Sequence, residues 1–455
     1  MKPISVWEIC RAVGGSLSVC GLEEKQVLNV STDTRKIEKD SLFIPIKGEK
    51  FDGHDFIDQA FEKGALCCLS EKEFPTERLV IFVESTRKAL LDLAAYYRSL
   101  FDVRVCAVTG SVGKTTTKDM IASVLSQKYS VLKTQGNFNN EIGLPLTVFN
   151  LDDTYGAAVF ELGMNNFGEI SRLTAVARPD AALITNIGVS HIENLGSREG
   201  ILKAKCEIFE GLKEGGCAIL NGEDDMLLTL KGKEKFRTLW FGGKDGCVTA
   251  ENVNEKGVEG VDFEMNFYGQ KAEISLKSPG KHMVLNALAA AAVGKEFGLN
   301  IEEIKAGLES FCPTGMRMEI IKTGNNITVI NDSYNANPVS MKAAIDVLCQ
   351  SGGFKTAVMG DMLELGKYGA AMHMDVGKYA AQKGADRIIC IGEAAYDIYK
   401  GAAALKKSGV FYYRSLEEFF DRGFDKALTE NGTVLVKASH SMAFNMIAER
   451  LKGVK

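Results

Sequence analysis

Gly110, Gly113, Lys114 and Thr115 fall within "TGSVGKTTTKD", Thr109 to Asp119, between the apolar run Val103 to Val108 and a helix-like stretch. Two glycines let backbone N–H groups turn inward onto phosphate oxygens, the lysine adds a cation, and the threonine adds a hydroxyl suited to Mg²⁺. The helix that follows directs its positive end at the same point. With Ser111 and Thr116 alongside, the stretch reads as a nucleoside triphosphate site. Its spacing departs from G-x-x-x-x-G-K-[ST], because position 108 is Val. The loop alone does not distinguish a kinase, a switch, a motor or a ligase, and its plain alternative is a glycine turn opening an ordinary helix.

Ligands of open α/β sheets gather at the carboxyl ends of the strands, and those ends are polar here. "VFELGMN" places Glu161 at one of them, and "LITNIGVSHIENLGS" brings Asn186 and then His191 to the same edge. A carboxylate inside an apolar strand is costly unless it is paired or holds a metal, so Glu161 joins Thr115 as a candidate Mg²⁺ ligand. His191 is a further candidate, against the plain alternative of a surface or hydrogen-bonded imidazole. The helix "REGILKAKCEIFEGL" carries Lys203 and Lys205, which at a spacing of two cannot share a face. One of the two can turn toward the phosphates while the other is solvated.

The elements that must position these groups follow from periodicity. From about Phe101 to Leu220 the runs "VRVCAV", "AAVFELG", "AALITNIG" and "GCAILNG" alternate with helical patterns, which predicts a mostly parallel sheet covered by helices. After Asn221, "VEGVDFEMNFYGQKAEISLK" predicts an antiparallel excursion, and "KHMVLNALAAAAVGKEFG" a helix returning to the main sheet. A second alternating series, "ITVIND", "KTAVMGD", "DRIICIG" and "GTVLVKAS", begins beyond a junction near "CPTGMRME". The first hundred residues are mixed and end in the helix-like "STRKALLDLAAYYRSL". The expected fold class is therefore α/β in three domains: a small N-terminal α/β domain over residues 1–98, a central P-loop domain with a mostly parallel sheet over 99–314, and a C-terminal Rossmann-like α/β domain over 315–455.

Composition narrows the setting. At 455 residues, 45% hydrophobic and 25% charged, the chain suits a folded protein of two to four domains. No apolar run approaches the ~20 residues that cross a bilayer, and the N-terminal stretch lacks the apolar core of a signal peptide. Eleven cysteines with no C-x-x-C pair fit neither a disulfide framework nor a zinc site. Buried thiols in the cytoplasm are expected instead. A net charge of -5 gives no general attraction to nucleic acid or anionic membrane, and neither is an expected partner. The lack of a long apolar surface pattern predicts a monomer.

Taken in order, "TGSVGKTTTKD", "ELGMN", "TNIGVSHIENLGS", "AKCEIFE", "KHMVLNALAA" and "NDSYNANPVSMKAAI" resemble the Mur ligase family, the ATP-dependent amide-forming enzymes of peptidoglycan precursor synthesis. The resemblance spans residues 109 to 345, and the N-terminal and C-terminal stretches are also similar. Within the family, "STDTRKIEKDSLFIPIKGEKFDGHDF", "NDSYNANP" and "GDMLELG" resemble the member that adds D-alanyl-D-alanine to UDP-N-acetylmuramoyl-tripeptide.

The resemblance implies those two partners, with ATP and Mg²⁺ as cofactors. It implies domains for the UDP-substrate, for ATP and for the incoming amine, the third closing on the nucleotide. Gly110, Ser111, Gly113, Lys114, Thr115 and Thr116 would cradle the phosphates, and Thr115, Glu161 and His191 would surround Mg²⁺. Lys205 matches a lysine that many members carbamylate with CO₂ into a further metal ligand, with Lys203 as its rival for the role. Asn286 would meet adenine with His282 nearby, and Arg317 and Asp332 would reach the nucleotide's phosphate and ribose. Ser31, Thr32, Asp33 and Arg35, with Lys47 of the "KGEKFDGHDF" turn, match the uridine end. Asn137, Asn139, Asn140, Tyr334, Asn335 and Asn337 are the remaining expected substrate contacts. In "VKASHSMAF", Ala438 and His440 stand where relatives often read Gly and Arg, which puts one carboxylate contact in doubt. His54 and His373 are expected to be structural. The rival readings are another amide ligase of the superfamily, such as folylpolyglutamate synthase, and a non-catalytic nucleotide-binding protein.

Overall fold

The computed structural model describes the whole chain except residues 49, 234, 314, 325, 427–430, 454 and 455. Glu49 of the expected uridine-side turn, and Thr314 and Lys455 at the expected domain limits, therefore lie outside the described residues. By mutual proximity the chain divides into two units. Met1–Thr109, Tyr129–Ala182 and Cys206–Cys217 form one, and Gly110–Lys128, Leu183–Lys205 and Ala218–Lys455 the other.

In the first unit a five-stranded sheet runs in the order Ser16–Leu17, Val80–Phe82, Ala65–Ser70, Ser41–Phe43, Asn29–Ser31. The last four are mutually parallel and only Ser16–Leu17 is antiparallel. The parallel arrangement sends the ends of Asn29–Ser31 and Ser41–Phe43 the same way, in the register Ser31↔Phe43. Beyond it, Thr86–Ser99 is a helix capped by the Ser85 hydroxyl. Arg98, 4% exposed, is tolerated there because its guanidinium donates to Phe101 O and Val103 O at 3.0 and 2.9 Å. Strand Ala157–Glu161 then pairs in parallel with both Arg104–Thr109 and Val131–Lys133. All five of its residues are buried, as a parallel strand covered on both faces requires.

In the second unit the expected antiparallel excursion is Val248–Glu255, Val261–Phe267 and Gln270–Leu276. Odd and even positions of Val261–Phe267 alternate between buried and half-buried, the pattern of a sheet with one covered face. Strand Arg237–Phe241, which pairs with it in parallel at Phe241↔Val248, was not expected. The alanine-rich run lies in helix His282–Glu296, which packs on helix Lys114–Leu125. A Cβ at Gly294 would lie 2.9 Å from Val124, so the absent side chain is what lets the two helices approach.

The last sheet has the order Glu319–Lys322, Thr328–Asn331, Thr433–Lys437, Lys355–Gly360, Arg387–Ile391, Val410–Tyr413. It is parallel except for its first strand, in keeping with the Rossmann-like expectation. Glu319–Lys322 and Val410–Tyr413, its two end strands, are the ones that periodicity did not predict. The core of this sheet, from Ile321 through Val358 and Phe419 to Leu451, draws on no residue before 321. Among the described residues no helix is long and apolar enough to cross a membrane. Every cysteine is free, but Cys20 and Cys312 are exposed rather than buried as expected.

Candidate active site

The phosphate loop is held from outside its own sequence. Ser111 N donates to Asn186 O, Val112 N donates to Asn186 Oδ1, and Asn186 Nδ2 returns a bond to Val112 O, each at 3.0 Å. The Thr185 hydroxyl donates to the same Val112 carbonyl at 2.7 Å, and Gly188 N donates to Ser111 Oγ at 2.8 Å. Gly110 has φ 152°, and a Cβ there would fall 1.8 Å from Thr185 Oγ1, so only glycine fits. Gly113, with φ 83°, caps helix Lys114–Leu125 in the left-handed region. Lys114 Nζ donates to Gly110 O at 2.8 Å, folded back over the loop. Thr115 lies buried in the first helical turn, beside the half-buried Thr116.

Asn286 reaches this loop from helix His282–Glu296. Its Oδ1 accepts from the Thr117 hydroxyl at 3.1 Å and is as close to where a Gly113 Cβ would stand. One turn earlier, His282 borders a cavity of about 580 Å³ that Leu285, Leu288, Asp346 and Lys383 also line. Burial pushes its imidazole down from the ordinary histidine value, with the Asp332 carboxylate acting the other way. Asp332 accepts from Met318 N at 3.1 Å and from Lys437 Nζ at 2.5 Å. The Arg317 guanidinium lies 3.9 Å from the centre of the Tyr334 ring, which in turn meets the His440 ring at 5.1 Å. Asn335 O accepts from Lys437 Nζ, and the Asn337 side chain caps helix Pro338–Gln350 through Ser340.

Glu161 is 2% exposed, and its Oε1 accepts from Asn139 Nδ2 at 2.9 Å. Its Oε2 is buried with no hydrogen-bond partner among the described residues, a condition that binding a cation would relieve. Among the described residues no three His, Cys, Asp or Glu side chains converge on one point. A cation beside Glu161 would therefore draw part of its coordination from hydroxyl, water or phosphate oxygens, which Mg²⁺ favours.

The two lysines differ in burial. Lys203 is exposed, whereas Lys205 is 2% exposed. Burial, with the Lys114 ammonium as a second cause, holds the Lys205 amine well below the ordinary lysine range. His191 adopts a left-handed backbone, φ 61°, and its Nδ1 stands 3.1 Å from Glu364 Oε2. That bond, aided by the charge of Lys114, holds the Glu364 carboxyl below its ordinary value.

On the expected uridine side, the ends of two adjacent parallel strands carry the predicted residues. Ser31 Oγ donates to Asp33 O, and the Arg35 guanidinium grips both Asp33 oxygens, pulling that carboxyl down to about 2. The backbones of Lys47 and Asp52 pair antiparallel in an isolated bridge, and Thr32 is half-buried. His54 Nδ1 donates to Asp52 at 2.6 Å while its Nε2 accepts from Glu71 N at 3.2 Å. His373 likewise has both ring nitrogens bonded to backbone. Asn140 Oδ1 accepts from Ile142 N and Gly143 N, and Asn137 is exposed with its carbonyl bonded to Asn139 N.

The sequence matches three family descriptions along its length: "Mur ligase family, catalytic domain" over residues 26–98, "Mur ligase middle domain" over 108–294, and "Mur ligase, glutamate ligase domain" over 316–440. It is 41% identical over 454 residues to the UDP-N-acetylmuramoyl-tripeptide--D-alanyl-D-alanine ligase of Bacillus subtilis, covering 98% of each chain. The chain belongs to the Mur ligase family. Among solved structures, MurF from Acinetobacter baumannii superposes with a TM-score of 0.93 at 31% identity, over 100% of both chains. MurF from Thermotoga maritima in complex with ADP gives 0.83 at 28% identity, covering 93% of this chain and 97% of that one.

As a Mur ligase the chain is an ATP-dependent enzyme, and the structure adds contacts around the candidate site that the sequence alone does not show. Asn186 was placed at the sheet edge without its role as the clasp of the loop. Lys437, 2% exposed, donates to Asp332 Oδ2, Asp332 O and Asn335 O, so it orders the "NDSYNANP" segment from 105 residues away. Glu364 lies within "GDMLELG", where the sequence gives no sign of its partner. Lys437 carried one available signal, a lysine inside the apolar run "TVLVK", the same argument that singled out Glu161.

Proposed function

We propose that this Mur ligase joins D-alanyl-D-alanine to the terminal carboxylate of UDP-N-acetylmuramoyl-tripeptide, cleaving ATP to ADP and phosphate. The observation that carries the reading is a phosphate loop accompanied by an amine, Lys205, that is buried and held toward its neutral form. The names of relatives that match nearly the whole chain support the choice of substrates, and the ADP-bound neighbour supports the choice of nucleotide.

A carboxylate oxygen of the UDP-substrate attacks the γ-phosphorus, the bond to the bridging oxygen breaks, and ADP departs. The amine of the dipeptide then attacks the resulting acyl phosphate. Phosphate leaves with the electron pair of the C–O bond, and the amine's proton is lost to solvent. Lys114 and the loop amides stabilise charge on the transferring group. Thr115, Glu161 and His191 would hold Mg²⁺, which would supply positive charge against the approach of two anions; the unpartnered Glu161 oxygen fits that role. Lys205, whose amine is held toward its neutral form, would take up CO₂ with loss of a proton and would then supply a further anionic oxygen to the same site. Asn286 and His282 take the base, Arg317 and Asp332 the phosphate and ribose. Ser31, Thr32, Asp33, Arg35 and Lys47 take the uridine end. Asn137, Asn139, Asn140, Tyr334, Asn335 and Asn337 complete the substrate contacts.

The three domains of this reading are residues 1–98, 99–314 and 315–455, the last closing on the nucleotide, in a monomer that works in the cytoplasm. Three family matches with similar limits, over 26–98, 108–294 and 316–440, support that division. The test is phosphate release from ATP and Mg²⁺ with UDP-N-acetylmuramoyl-tripeptide, with and without D-alanyl-D-alanine, while mass spectrometry follows the UDP product. Release that needs both substrates and yields a product heavier by one dipeptide is expected. Turnover with a folate and glutamate in their place, or nucleotide binding without turnover, would refute it.

A further inference from the structure

The segment Asp361–Gly366 is fixed at almost every residue. Asp361 Oδ1 accepts from Ala395 N at 2.7 Å and Asp361 O accepts from Ser439 N at 3.1 Å. Met362 N donates to His373 Nε2 at 2.9 Å, and Leu363 N donates to Ser439 Oγ at 3.0 Å. Gly366 backs onto the Glu193 side chain, 3.5 Å from where a Cβ would stand. Between these anchors Glu364 is forced into the left-handed region at φ 62°. A side chain rarely adopts that conformation, and its surroundings must over-determine it. The result is a carboxylate aimed at Nδ1 of His191, itself left-handed, across 3.1 Å.

We infer that Glu364 is a positioning residue for the metal site: it fixes the tautomer of His191. An imidazole that donates its Nδ1 hydrogen to a carboxylate keeps its lone pair on Nε2, so only that nitrogen can take a cation. Among the described residues the His191 ring has no other bonded partner, so nothing else selects the tautomer. The carboxylate comes from beyond residue 315 and the imidazole from before it. Cation affinity at the phosphate loop therefore depends on how the Asp361–Gly366 segment is seated. The inference rests on His191 being a Mg²⁺ ligand, as proposed above.

The test uses the full chain. Imidazole ¹⁵N NMR reads the tautomer without metal, with His191→Ala assigning the signal among five histidines. Mn²⁺ titration in the presence of ADP reads cation affinity. The wild type is expected to show Nδ1–H. Glu364→Ala is expected to mix the tautomers and weaken Mn²⁺ binding roughly 10–100-fold. Glu364→Gln, whose amide oxygen accepts the same bond, is expected to keep the tautomer and most of the affinity. Unchanged Mn²⁺ binding in His191→Ala would remove His191 as a ligand and the inference with it. Weak binding in His191→Ala beside an unchanged tautomer and affinity in Glu364→Ala would overturn the role of Glu364 alone.

Discussion

Lys205 costs the folded chain something whenever its site is empty, because burial disfavours the charged form of an amine. Below the ordinary lysine value of 10.5 the unfolded chain binds a proton there, whereas the folded chain binds none until its lowered pKa is reached. Stability therefore falls as pH drops through that window, by about 1.4 kcal/mol per pH unit. In CO₂-free buffer, Lys205→Met is expected to be more stable than wild type, with an advantage larger at about pH 7 than at about pH 9.5, and to be inactive as a ligase. Urea unfolding at both pH values checks the first point and phosphate release the second. A pH-independent difference would refute the neutral amine. The sequence alone could not choose between Lys203 and Lys205, since spacing says that two faces are used but not which one is inside. Lys437 and Glu364 were still less legible, because each acts on a partner more than a hundred residues away in the chain.

At the scale of elements, what could be read was what is local. Parallel strands buried on both faces appear as continuous apolar runs, so Arg104–Thr109, Ala157–Glu161 and Thr433–Lys437 stood out together with the ends they present. Strands of two or three residues, such as Ser16–Leu17 and Asn29–Ser31, do not complete a period and left no trace. Val410–Tyr413 is an only partly buried strand at the end of its sheet and carries aromatic residues that suit a helix face equally well. The phosphate loop was legible as a motif, but the clasp formed by Thr185, Asn186 and Gly188 was not. That clasp is sensitive to a single methyl group. Gly110→Ala would push Thr185 aside and remove one of the two donors that hold the Val112 carbonyl, a strain of order 1–3 kcal/mol, so ADP affinity is expected to drop by about 10-fold or more. Isothermal titration measures it, and an affinity within about twofold of wild type would show that the loop is not held as described.

At the scale of the whole molecule, proximity and sequence pattern cut the chain differently. The stretches before and after residue 315 fall in one unit, within which the His191–Glu364 pair and the approach of Gly257 to Gln350 join them. Yet the core around Val358 and Phe419 closes on itself beyond residue 320. Residues 315–455 alone are therefore expected to unfold cooperatively, with a stability in the usual range of about 5–15 kcal/mol, and to bind no ADP, lacking the loop. Circular dichroism in urea tests this, and a broad transition without a baseline would reject the boundary. The thiols offer a different kind of consequence. Thiolates are the reactive form, and burial pushes the Cys67, Cys68, Cys106 and Cys390 thiols up, and that of Cys206 to about 11. Cys20 and Cys312 are instead open to solvent. The natural chain thus carries two addressable attachment points, one in its first hundred residues and one at the threshold of its last sheet, where a donor and an acceptor dye could be coupled without changing a codon.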